Sequence, residues 1–432
     1  MNGIYNELRV IMKKHTILTY KEVINEIQHK ENHLLIANGF NYGLGVNTGY
    51  GAIFNKMAKN NKKIYNDALK MVEDCDFDLE YFIGKLEEDI NEDNTFLRKY
   101  ISNKIKLDFM QATHEIVKSE IKNIYTDKND GIFVLLKEFT NYFTLNYDSF
   151  LYLLLLKYKP IENKKKNAIA FMPSLKFIET DLDTNQNNIY SEIKNARVNG
   201  KLRLNLGSPS NSLEKDCRML TKTHFTTEIK EYSKTHKKGW QTKDIDKVVK
   251  QIFQEEKSNE FLSKIDDGSK QQTLFDIPEF VYDVNSNTQN LFFLHGAFHI
   301  YKDGELYKKI TQQSDKALYE KLEDVLNNDE QDVVCVFQRS NKTDAINNND
   351  YLKHCFEKLA CLSGNLVIIG SSLADNDDHI FEQINSSSID KIYISAFGNM
   401  EEVFEAAKSK FPNKEIYLFD AKTISYEKPK EV

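Results

Sequence analysis

The sequence predicts an α/β protein built on a doubly wound, mostly parallel, Rossmann-like sheet, with a helical segment and a polar insertion. Three observations carry that prediction. Short apolar runs alternate with segments of helical spacing in both the first and the last third of the 432 residues. Several apolar runs break at polar or glycine-containing turns, where doubly wound sheets place their ligands. The composition, 41% hydrophobic and 28% charged, supplies enough apolar material for a large core.

The elements read as follows. A helix is expected at Tyr20–Gln28, then a strand at His33–Ala37 running into a Gly/Asn-rich loop, Asn38–Gly51. From about 55 to 120 apolar residues recur at helical spacing, as at Leu79, Phe82, Ile83 and Leu86. A further helix around Val134–Tyr142 leads to a strand at Phe143–Leu145, and a buried helix follows from Ser149 to Leu156.

Residues 160–278 change character, with polar runs such as Glu162–Asn167 and Thr184–Asn188 and modest helix patterns at Leu213–Leu220 and Ile245–Phe253. This stretch reads as an insertion with a regulatory or contact role. Alternation then resumes. Strands are expected at Asn290–Leu294, Asp332–Phe337, Asn365–Ile369, Lys391–Ser395 and Lys414–Phe419, with helices at Tyr351–Cys361 and Met400–Lys410. The expected organisation is therefore one domain formed by 1–160 and 278–432, interrupted by 160–278.

Composition excludes several classes. Gly (17) and Pro (6) are both scarce, which removes collagen and Gly/Pro-rich disorder. A net charge of −7 argues against a general nucleic-acid binder, and Lys-rich runs such as Thr235–Lys238 read as solvated faces. The longest apolar run, Phe150–Leu156, is far shorter than a membrane span of about 20 residues. The N-terminus shows no signal-peptide pattern, so a cytoplasmic location is expected. Five scattered cysteines without a C-x-x-C pair argue against a disulfide framework and a four-cysteine zinc, and no metal is expected.

Four strand ends carry the candidate chemistry. Asn38–Gly39–Phe40–Asn41 offers backbone N–H groups to a phosphate, or is a plain turn. In Thr144–Asp148, Asn146 and Asp148 read as functional polar residues or as helix caps. His295, before Gly296, is a base or a satisfied half-buried histidine; His299 lies four residues on, without a local carboxylate or thiol to complete a metal set. Gly370, Ser371, Ser372 and Asp375 suit ribose or phosphate oxygens, or an ordinary loop.

In that order, ANGFN, TLNYD, LHG and VIIGSSLAD resemble the sirtuin-like superfamily, in particular its bacterial branch without the zinc module. The resemblance covers about 30–160 and 278–400. It implies a sirtuin-like NAD-binding domain, with Asn146 holding a ribose hydroxyl or the attacking water. Asp148 would lie near the nicotinamide end or cap its helix, and His295 would act as general base. Asn38, Gly39, Phe40, Asn41, Gly370, Ser371, Ser372 and Asp375 would line the cofactor site.

The residue types suit that chemistry. Breaking the nicotinamide–ribose bond needs a polar group to place water and a base that is neutral near pH 7. The first loop departs from the GAGxS wording of protein-deacylating sirtuins, and their paired C-x-x-C motifs are missing. The resemblance therefore implies an NAD glycohydrolase that yields nicotinamide and ADP-ribose. It would be a restrained effector of bacterial antiphage defence, acting by NAD depletion in abortive infection. Its expected partners are further copies of itself and a sensor protein. The alternatives are a sirtuin-type protein deacylase or ADP-ribosyltransferase, and a non-catalytic nucleotide-binding regulatory subunit.

Overall fold

A computed structural model describes residues 17–61, 65, 78–88, 95–124, 138–158, 168–170, 182–198, 219–258, 266–271, 280–311, 314–337 and 342–425. The chain divides into two compact units. One comprises residues 1–153, 290–298 and 322–432, and the other 154–289 and 299–321.

The first unit is built on a six-stranded sheet in which every pairing is parallel. Its order is Glu415–Asp420, Ser388–Ala396, Ser363–Ile369, Asn32–Ile36, Asn141–Thr144, Leu291–Phe293. The central strand is buried along its whole length, which explains why it reads as an apolar run rather than an alternating one. Its two polar residues are satisfied inside the sheet. Asn32 Nδ2 donates to the Ile27 carbonyl at 2.7 Å, and the His33 ring meets the Ser363 carbonyl and the Asn141 amide at 2.9 and 3.0 Å.

From Asn32–Ile36 the chain moves one way, to Asn141–Thr144 and Leu291–Phe293. It then returns to Ser363–Ile369 and moves outward the other way. The order therefore reverses between Asn32–Ile36 and Ser363–Ile369, where such sheets open a crevice at the strands' carboxyl ends. The α/β fold with a parallel Rossmann-like sheet is as expected.

Helix boundaries follow local chemistry. Thr19 and Glu22 form a reciprocal capping box that starts the helix Tyr20–Ile27. Asn349 and Asn399 cap Asp350–Ala360 and Met400–Lys410 by accepting from backbone N–H groups. The Gly/Asn-rich loop is more ordered than its composition suggests. Asn38–Gly43 is a short helix and Tyr50–Asn60 a longer one. Tyr142, expected at a helix end, lies in a strand that starts at Asn141, and residues 134–137 of that expected helix lie outside the described residues. The expected run Glu162–Asn167 also lies outside them, as does most of Leu213–Leu220; Met219–Thr221 is a strand.

In the second unit, helices Lys222–Thr235 and Thr242–Ser258 are present, and strands Ser269–Gln271, Phe280–Tyr282 and Leu306–Lys309 pair antiparallel. Residues 299–321 cluster here rather than with the parallel sheet. Lys309 and Asp267 form a buried ion pair at 2.5 Å in this unit. Among the described residues no helix is long and apolar enough to cross a membrane.

Candidate functional site

Four strand ends meet at one cleft of about 420 Å³ in the first unit, a size usual for small-molecule sites. Ala37 N–H bonds the Ile369 carbonyl at 3.0 Å and Gly39 N–H bonds the Gly370 carbonyl at 2.9 Å, so the two central strand ends interlock before diverging. Gly370 has φ +77, and a Cβ there would come within 2.2 Å of the Phe40 nitrogen. No side chain fits that junction.

The next strand ends in step: Leu145 N–H bonds the Ile36 carbonyl and Leu294 N–H the Thr144 carbonyl, both at 3.0 Å. These bonds hold Asn146 and His295 side by side at the sheet's edge. His295 sits in the turn between two strands, and Gly296 after it has φ +82 with the Val334 carbonyl where a Cβ would lie. The glycine of the LHG motif is therefore a packing requirement.

Asn38, Gly39, Asn146, Asp148, His295, Gly370, Ser371 and Ser372 all line the cleft. Three expected residues do not. Phe40 is core, its ring 6.4 Å from that of Phe150. Asn41 is fully buried behind the cleft, where its Nδ2 donates to Asp148 Oδ2 at 2.9 Å and its Oδ1 accepts from Asn146 Nδ2 at 3.2 Å. Asp375 points outward and pairs with Lys410 at 2.6 Å. The physical reason is the turn Asp375–Asp377, which rotates its first and third residues apart and sends Asn376 and Asp377 into the cleft instead. Asp148 keeps its expected capping bond, accepting from Phe150 N–H at 2.8 Å, and takes on the second bond to Asn41.

A buried charged cluster completes the wall. Lys342 Nζ lies 3.3 Å from Glu80 Oε2 and 3.5 Å from Asp377 Oδ1, and Tyr50 donates to Glu80. His295 Nε2 is 3.8 Å from Asp377 Oδ1 and 3.1 Å from His379 Nε2. Tyr147 packs beside His295 and donates to the Val336 carbonyl at 2.6 Å.

Burial sets the protonation states. It pulls the His295 imidazole well below its ordinary range, helped by Lys342 and His379. Burial and Lys342 likewise bring His379 down to about 4. Burial pushes Asp148 up to about 6 against its hydrogen bonds, and raises Asp377 against the nearby Lys342 ammonium. Both histidines are thus neutral at pH 7, so across their 3.1 Å contact one donates and the other accepts.

Glu80, Lys342, Asp377 and His379 escaped the sequence reading. Lys342 and Glu80 carry no motif and come from helices remote in sequence. Asp377 and His379 follow Asp375 directly, and the run DNDDH was a signal that could have found them. Among the described residues no group of three or more His, Cys, Asp or Glu side chains is arranged to hold a metal ion.

Residues 223–425 match the model of a domain of unknown function, DUF4917. The match contains His295, Lys342 and the Gly370–Asp377 turn but not Asn38–Asn41 or Asn146. No curated protein matches the chain.

Proposed function

We propose that this cleft binds NAD and hydrolyses its nicotinamide–ribose bond. The observation that carries the reading is the meeting of Asn146, His295 and the Gly370–Ser372 turn in one cleft at the sheet's switch point. Bond cleavage leaves an oxocarbenium-like C1 on the ribose. Asn146 holds a ribose hydroxyl or the attacking water, and His295 accepts the proton that water loses as it bonds to C1. A depressed pKa keeps His295 unprotonated and ready, and a weak base suffices because water becomes strongly acidic as it attaches to a cationic carbon. Glu80 and Asp377 set negative charge in the same wall, favouring a cationic centre.

The sirtuin-like resemblance extends the proposal to an effector of antiphage defence that depletes NAD, restrained until self-assembly or a sensor partner triggers it. The test is NAD binding by calorimetry together with release of free nicotinamide, over a range of protein concentrations that promotes assembly. Wild type should bind NAD and release nicotinamide, and Asn146→Ala and His295→Ala should lower release about 10²–10⁴-fold while remaining folded. Absence of both binding and release would sink the proposal.

A further inference from the structure

We propose that Asn41 is a positioning residue that turns the Asn146 carboxamide so that its carbonyl oxygen, not its NH₂, faces the cleft. The inference rests on the NAD reading only for its kinetic readout. It follows from a chain of hydrogen bonds in which every direction is forced.

At one end, Asn38 Nδ2 donates to the Thr48 carbonyl at 3.1 Å, which leaves Asn38 Oδ1 to accept the Thr48 hydroxyl hydrogen. Thr48 has a single hydrogen, so towards Asn41 it can only accept, and Asn41 Nδ2 supplies that bond at 3.0 Å. At the other end, Asp148 Oδ1 accepts from Phe150 N–H and Oδ2 accepts from Asn41 Nδ2. An ionised carboxylate has nothing to donate. Both neighbours therefore demand the NH₂ of Asn41, and its Oδ1 is left facing Asn146.

Asn146 answers with Nδ2 at 3.2 Å, while its backbone N–H is held by Thr144 Oγ1 at 3.0 Å. Among the described residues no donor reaches Asn146 Oδ1, and Asn146 lines the cleft, so that oxygen is left for a ligand. The position accepts a hydrogen bond. It selects a ligand hydroxyl, as on a ribose, or a water turned so that a lone pair is free for attack. It disfavours a ligand with an acceptor, such as a phosphate oxygen, at that point.

Asp148→Asn tests the direction. The new amide must still accept from Phe150 N–H, so its NH₂ meets the NH₂ of Asn41 and the chain is driven to reverse, presenting NH₂ to the cleft. Nicotinamide release should lose about 10-fold in kcat, with melting temperature recorded on the same samples. Adding Asn41→Asp in that background restores an acceptor facing both position 148 and Asn146; the Thr48 hydroxyl turns its hydrogen from Asn38, which lines the open cleft, to the new carboxylate, and most of kcat should return. A double variant no better than Asp148→Asn overturns the inference, because a purely structural role gains nothing from a second buried substitution.

Neutron diffraction of the deuterated wild-type protein reads the amide directly. Deuterons on the Asn146 branch facing Asn41 support the inference, and deuterons on the branch facing the cleft defeat it. That measurement stands even if wild type neither binds nor cleaves NAD, so failure of the functional proposal is distinguishable from failure of this one.

Discussion

His295 Nε2 lies 3.1 Å from His379 Nε2, so the cleft histidine meets a second imidazole supplied by the first turn of the helix Asp378–Ser386. The contact works only while at least one ring is neutral, and burial together with Lys342 keeps both so.

The stability contributed by His379 should therefore fall in mild acid. A histidine ordinarily titrates near 6.5, and His379 is held down to about 4 in the folded chain. Between those values the unfolded chain binds more protons, so its contribution is complete above pH 6.5 and declines as pH drops toward 4. From pH 6.5 to pH 5 this group should cost about 1–2 kcal/mol. Chemical denaturation at the two pH values should show a smaller drop for His379→Gln than for wild type. Equal drops would remove His379 from the account.

Removing the buried ammonium should be severe. Lys342→Met leaves Glu80 and Asp377 without their cation, and breaking a buried pair in this way costs about 3–5 kcal/mol. Asp377, already raised by burial, then loses the cation that holds it down and binds protons more readily in the folded chain than in the unfolded one, so the deficit should shrink as pH falls from 8 to 5. Paired melting curves at these pH values measure it. A deficit that grows in acid would contradict the assigned ion pairs.

The switch-point glycine should resist substitution far more than a loop glycine of the same backbone angle. Gly45 has φ +79 with nothing near a new Cβ, so Gly45→Ala should cost only the left-handed backbone preference, about 1–2 kcal/mol. Gly370→Ala adds a collision with the backbone of Gly39 and Phe40 and should lower the melting temperature much further. Similar melting temperatures for the two variants would show that the strand ends do not interlock.

The acidic turn should divide functionally. Asp375→Ala removes only an exposed partner of Lys410 and should leave melting temperature and nicotinamide release unchanged. Asp377→Asn alters a side chain 3.8 Å from His295 Nε2 and in contact with Lys342, and release should fall about 10-fold. The opposite ranking in a side-by-side assay would return Asp375 to the site.

The strands were legible because burial on both faces makes them continuous apolar runs, as Leu34–Ile36 and Leu366–Ile369 show. Asn146 and His295 were legible because they sit where such runs break. The misread positions have equally specific causes. Tyr142 belongs to a strand that pairs with Leu291, a partner some 150 residues away that no local pattern encodes. Asp375 and Asp377 are equivalent as letters, and only the rotation of their turn separates the exposed one from the cleft residue.

By itself, then, the sequence determined the α/β class, the apolar strands and the polar residues at their ends, because local periodicity and burial are written in neighbouring residues. Tertiary structure alone decided that Lys342 joins Glu80 and Asp377, that His379 meets His295, and that Asn41 stands behind Asn146. Those contacts join residues 84 to 262 positions apart, except the pairing of Lys342 with Asp377 at 35. Desolvation then gave them their charge states, and desolvation belongs to the folded surroundings of a side chain, not to its place in the chain.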